Sequence, residues 1–107
     1  MTKTELSELL HSVGIPVNEG ITSDKNINVY PRIVYWAYIW EDYMASGDEY
    51  EVKSTYQISF YSKEPAPDKL KELRQAMRDV GEHPIIYHEY IDTDKIWHSY
   101  FALEVME

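Results

Sequence analysis

The chain has no cysteine, which removes disulfide cross-links, a thiol nucleophile and thiolate metal sites, and fits a reducing compartment. Positive charge is scarce: 10 Lys and Arg stand against 19 Asp and Glu, a formal net charge of −9. Clustered cations are what displace counterions from a nucleic-acid backbone, so this balance argues against a free-standing DNA or RNA binder. No apolar run approaches the roughly 20 residues needed to cross a bilayer. The start, Met1 to Glu8, has an early acidic residue and no continuous apolar stretch of the signal-peptide kind. A soluble protein with no membrane contact is expected. There is also no Gly-rich phosphate loop, no Gly-x-Ser-x-Gly elbow and no His-Glu-x-x-His, so neither an enzyme nor a bound cofactor is expected.

What is present is enough for one domain, 1–107, with 44% hydrophobic and 27% charged residues, an ordinary globular balance. The densest stretch runs from Pro31 to Ser62. Two segments rich in β-branched and aromatic residues flank a small polar one containing Gly47 and Asp48, which is the form of a long antiparallel hairpin. Pairing them about a turn at Ser46 and Gly47 sorts the side chains by the period of 2 that strands impose. Ile33, Tyr35, Ala37, Ile39, Tyr56, Ile58 and Phe60 fall on one face, the expected core. Arg32, Val34, Trp36, Tyr38 and Trp40 fall on the other with Lys53, Thr55, Gln57, Ser59 and Tyr61. This second face is too aromatic for plain solvent.

The rest of the chain supplies what covers the first face. Thr2 and Glu5 have capping-box spacing, and Leu6, Leu9, Leu10 and Val13 follow at helical intervals before Gly14 and Pro16, predicting a helix over about Thr2 to Val13. A short strand near Val17 and a loop lead to Pro31. Leu70, Leu73, Met77 and Val80 predict a second helix after Pro67, closed by Gly81. That helix carries Lys71, Arg74 and Arg78 outward, as a solvated basic face. Pro84 to Glu107 predicts a second hairpin turning at Thr93 and Asp94, with Ile86, Tyr90, Trp97, Phe101, Leu103 and Val105 on one face and Ile85, Tyr87, Ile91, Ile96, Tyr100 and Ala102 on the other. The order α-β-β-β-α-β-β predicts an α+β fold, an antiparallel or mixed sheet of four to five strands with two helices on one face. Apolar content left on the open face marks a protein interface, for which Trp36, Tyr38, Trp40, Tyr61, Tyr87 and Tyr100 are the candidates.

Few residues invite other chemistry. His88 and His98 fall on opposite faces of the second hairpin, with Glu89 facing His98, so they make no zinc or acid-base pair. Glu41, Asp42, Asp48, Glu49 and Glu51 gather near the first hairpin tip without the alternating order of a calcium loop, and read as a solvated acidic loop. No catalytic, cofactor-binding or metal residues are assigned. Stacking of bases on the aromatic face lacks the interleaved Lys and Arg it needs.

Several segments together carry a resemblance: Glu5 to Val17 (Glu-Leu-Ser-Glu-Leu-Leu-His-Ser-Val-Gly-Ile-Pro-Val), the strand start Tyr30-Pro31-Arg32-Ile33-Val34-Tyr35, Tyr56 to Lys63 (Tyr-Gln-Ile-Ser-Phe-Tyr-Ser-Lys), and Tyr87-His88-Glu89-Tyr90-Ile91. Nearly the whole chain resembles the small tail-terminator or tail-completion proteins encoded in the head-tail modules of long-tailed phages and prophages of Gram-positive bacteria. The resemblance implies a sheet-based ring, commonly a hexamer, that caps the tail tube and joins it to the head connector, without catalytic residues. It implies residence in the virion tail or neck, host cytoplasm during assembly, and DNA crossing the ring without specific binding. From another class, a small acidic inhibitor or immunity-type protein masking a basic partner would also use this charge.

Overall fold

Residues 1–46 and 49–106 are described in the computed structural model, 43–46 and 49–50 by backbone alone. The elements are α1 (Lys3–His11), β1 (Val17–Glu19), β2 (Arg32–Ser46), β3 (Glu49–Ser62), α2 (Asp68–Asp79), β4 (Tyr87–Ile91) and β5 (Ile96–Met106). The strands form one sheet in the order β1-β2-β3-β5-β4. β1 runs parallel to β2 and the other pairs are antiparallel, so the sheet is mixed and the fold is α+β, as the pattern predicts.

α1 begins at a side-chain cap and α2 ends at a glycine cap. Thr2 accepts from the Glu5 amide and Glu5 reaches back to the Thr2 amide, the reciprocal pair that satisfies two otherwise free donors at the start of α1. α2 starts after Pro67 and ends where Gly81 takes a left-handed φ of 82°. The Gly81 amide then donates to Arg78 and the Glu82 amide to Met77, closing the last carbonyls of the helix. Lys3 Nζ meets Glu19 at 3.0 Å, tying α1 to β1. The Glu19 carboxylate raises the Lys3 pKa above its ordinary 10.5, but the pair is half exposed and adds little stability.

Leu6, Leu9 and Leu10 of α1 and Leu70, Leu73 and Met77 of α2 bury their stripes against Ile33 and Tyr35 of β2, Tyr56, Ile58 and Phe60 of β3, and Phe101, Leu103 and Val105 of β5. Alternate residues of three adjacent central strands therefore build a single core. The second hairpin has the expected register, with Glu89 opposite His98 and Tyr87 opposite Tyr100.

The first hairpin departs from its expected register at two points, between Ala37 and Ile39 and between Met44 and Ser46, and the first of them reassigns the faces. Ala37 pairs with Tyr56 but Ile39 pairs with Thr55, so Tyr38 is an extra residue and the strand is bulged. A bulge puts two residues of one strand against one of its partner, and every later side chain changes side. Ile39, expected in the core, thus lies on the open face. Trp40, expected on the open face, lies on the helix side: it pairs with Ser54, which pairs with the core residue Val105. The turn expected at Ser46 and Gly47 cannot be followed through Gly47 and Asp48, which lie outside the described residues; Ser46 pairs with Glu49 on either side of them.

β2 and β3 outrun the rest of the sheet. Fifteen residues in β2 at about 3.3 Å each span about 50 Å, and the long axis of the molecule is 51 Å. β5 accompanies β3 only from Lys53 onward, so residues 42–46 and 49–52 form a two-stranded arm beyond the body. At its root Lys53 sits between Glu41 at 3.9 Å and Glu104 at 3.6 Å.

Two stability outcomes follow from the core. Leu73→Ala, at a fully buried position, is expected to cost about 3 kcal/mol in urea unfolding; a loss below about 1 kcal/mol would show that α2 is not part of the cooperative unit. Ser54 is buried with a hydroxyl that has no hydrogen-bond partner among the described residues. Ser54→Ala is therefore expected to be neutral or to stabilise by up to about 1 kcal/mol, and a clear loss of stability would reveal a partner for that hydroxyl.

Candidate interaction surface

The face of the sheet away from the helices has no layer over it among the described residues. Arg32, Val34, Trp36 and Ile39 of β2, Thr55, Gln57, Ser59 and Tyr61 of β3, His98, Tyr100 and Ala102 of β5, and Tyr87 and Glu89 of β4 lie on it. It divides into two halves with different chemistry.

The half nearest the start of β2 is a closed stack. The Arg32 guanidinium carbon lies 4.5 Å from the centre of the Tyr30 ring and 4.9 Å from that of Tyr61, and one terminal nitrogen donates to the Val29 carbonyl at 3.3 Å. Tyr61 stacks on His98 at 4.7 Å, His98 on Tyr100 at 4.9 Å, and Tyr100 on Tyr87 at 5.5 Å. The His98 Nδ1 meets a Glu89 carboxylate oxygen at 2.8 Å. A carboxylate only accepts, so Nδ1 carries the proton. The planar, weakly hydrated guanidinium suits this place because it is attracted to both ring faces while its edge still reaches a carbonyl. Arg32 and His98 are buried, and among the described residues the Arg32 Nε and His98 Nε2 have no hydrogen-bond partner.

The other half is open. Tyr38 is 52% exposed and Ile39 38%, Trp36 is half-buried, and Tyr87, the outermost ring of the stack, is 54% exposed beside it. Tyr38, Ile39, Thr55, His83, Pro84 and Ala102 help line a shallow groove of about 520 Å³ there, with Glu41, Glu82 and Glu104 at its margins. Aromatic rings above polar strand residues give an amphipathic surface of the kind that buries well against another protein.

Of the six candidate interface residues, Trp36, Tyr38, Tyr61, Tyr87 and Tyr100 share this surface, with Tyr61 and Tyr100 largely committed to the stack. Trp40 does not belong to it, because the bulge has turned it to the helix side. Sequence reasoning missed Tyr30, which precedes the strand and so has no place in its alternation, and Ile39, whose side only the bulge decides. Arg32 was legible as a face residue but not as the centre of a stack. His88 lies on the opposite face from His98 as expected, its Nδ1 2.8 Å from the Ser99 hydroxyl. Among the described residues no three His, Asp or Glu side chains converge on a point where a metal could sit. The acidic cluster of the arm falls partly on Asp48 and Glu49, outside the described residues and side chains. Comparison of the chain with protein-family models and with curated proteins found no match.

Arg32→Ala is expected to cost about 2 kcal/mol in denaturant unfolding, through loss of its ring and carbonyl contacts. Arg32→Lys should recover only part of this, since an ammonium cannot stack as a plane. Full recovery by lysine would mean that Arg32 acts as a charge alone.

Proposed function

We propose that this protein is a structural subunit that assembles as a ring, commonly a hexamer, at the head-proximal end of a long phage tail, where it terminates the tube and joins it to the head connector. The observation that carries this reading is the uncovered half-face of Trp36, Tyr38 and Ile39, with the exposed outer ring Tyr87 of the stack beside it, on a chain of net charge −9. An exposed apolar surface on an otherwise strongly charged domain is what a permanent neighbour would cover. The resemblance of the Glu5 to Val17, Tyr30 to Tyr35, Tyr56 to Lys63 and Tyr87 to Ile91 segments to tail-terminator proteins gives that neighbour an identity, a second copy of the same chain. Acidic walls would let DNA cross the lumen without adhering, since like charge opposes phosphate contact. The tube protein and the connector would then meet the two ends of the ring, in the virion neck, after assembly in the host cytoplasm.

Light scattering on a sizing column at increasing protein concentration tests the reading. Tyr38→Ala with Ile39→Thr should leave thermal unfolding nearly unchanged, because both side chains are exposed, and weaken self-association by about tenfold or more. A strict monomer that binds a basic protein tightly would sink the ring reading in favour of a small acidic inhibitor.

A further inference from the structure

The bulge at Tyr38 places Trp40 and Asp42 together on the helix side of the arm, two residues apart on one strand and therefore neighbours on one face. Trp40 is 76% exposed. An indole this open, beside a carboxylate, has the composition of an interface anchor. Trp40 and Asp42 sit in β2, near where the arm leaves the body.

Across the molecule, also on the helix side, a groove of about 360 Å³ lies between α2 and the segment leading into β4. Its apolar lining is Leu70, Pro84 and Ile86, and its rim is Lys71, Arg74 and His88. Arg74 also borders a smaller adjoining groove with Arg78, His83 and Glu82. Among the described residues neither Lys71 nor Arg74 has an ion-pair partner. These are the cations of a chain with only 10 of them, gathered at one apolar slot. On the helix-side face of the arm the described counter-charge is Asp42, while Glu41 lies on the other face beside Lys53.

The two surfaces match in kind: an aromatic ring with a carboxylate beside it, and an apolar slot with an ammonium and a guanidinium at its rim. They cannot meet within one molecule. β3 and β5 lie between β2 and β4, three strand spacings or about 14 Å, and both helices occupy the layer between. We infer that the helix-side face of the arm, led by Trp40 and Asp42, docks in the Lys71 and Arg74 groove of a second copy. The inference rests on the self-assembly reading and adds a second surface to it. Because arm and groove are different patches, the contact is head-to-tail, the type that closes into rings when the rotation between neighbours permits. Trp40 fills the slot against Pro84 and Ile86, while Asp42 pairs with Arg74 and Lys71. The opposed charges set the register of the arm.

Sedimentation velocity on Asp42→Lys and on Lys71→Glu with Arg74→Glu tests this, with circular dichroism melts to confirm that these exposed changes leave the fold intact. Each variant alone is expected to lose self-association about tenfold or more relative to wild type. An equimolar mixture of the two should regain it, because each arm then faces a groove of opposite charge. Trp40→Ala should weaken association without changing the melt. If wild type assembles and the charge variants assemble equally well, the docking inference is overturned and the ring reading stands. A wild type that stays monomeric at every concentration overturns both. A fluorescent single-stranded oligothymidylate bound at physiological salt by wild type and not by the Lys71→Glu, Arg74→Glu variant, with equal self-association, would overturn the inference by assigning the groove to an anionic nucleic acid.

Discussion

The constraint from which the rest of the structure follows is that two short helices can cover only one side of a five-stranded sheet. α1 and α2 bring six buried apolar side chains to that side, and β2, β3 and β5 answer with alternate residues. Alternation then forces the intervening residues, Arg32, Val34, Trp36, Gln57, Ser59, Tyr61, His98 and Tyr100, to the side with no helix. The protein handles that second side in two ways. Near the start of β2 it condenses the rings around a guanidinium and a carboxylate-bound imidazole, so that the surface becomes self-sufficient. Toward the arm it leaves Tyr38 and Ile39 without such partners among the described residues.

The stack and the open half also differ in what their loss would do. Each ring contact in the stack contributes on the order of 1 kcal/mol, and these contributions link four strands in sequence, from β2 through β3 and β5 to β4. Arg32 and His98 each keep a buried nitrogen without a hydrogen-bond partner among the described residues, a cost that only a firmly held arrangement offsets. The open half carries no such burden, and its side chains answer to whatever covers them. A self-satisfied and an open surface are thereby separated along the length of one sheet face.

Much of this was legible in the residues. The capping pair Thr2 and Glu5, Gly81 after α2, and the helical spacing of Leu70, Leu73 and Met77 each state a local rule that the fold obeys. So does the strict alternation from Ile33 to Ala37 and from Tyr56 to Phe60, and the pairing of Glu89 with His98. What was not legible was the extra residue at Tyr38. On either side of it the strand is aromatic or aliphatic at successive positions, Trp36, Tyr38, Ile39 and Trp40, so no change of polarity marks the shift of register. A strand that is apolar on both faces conceals its own bulge. The stack around Arg32 was hidden for a related reason: Tyr30 joins it from outside the strand, where the period of 2 does not reach.

The bulge has a consequence for how far association can run. Beyond Tyr35, β2 has no strand along its outer side among the described residues, and a long bare strand is a template on which identical chains can add without end. An inserted residue at Tyr38 breaks the even spacing of amides and carbonyls that such addition needs, and Glu41 and Asp42 place like charges where a second such edge would have to lie. The same kink that turns Trp40 toward the helices thus spoils the edge for open-ended growth. Along this edge of β2, contact through side chains is favoured over strand addition.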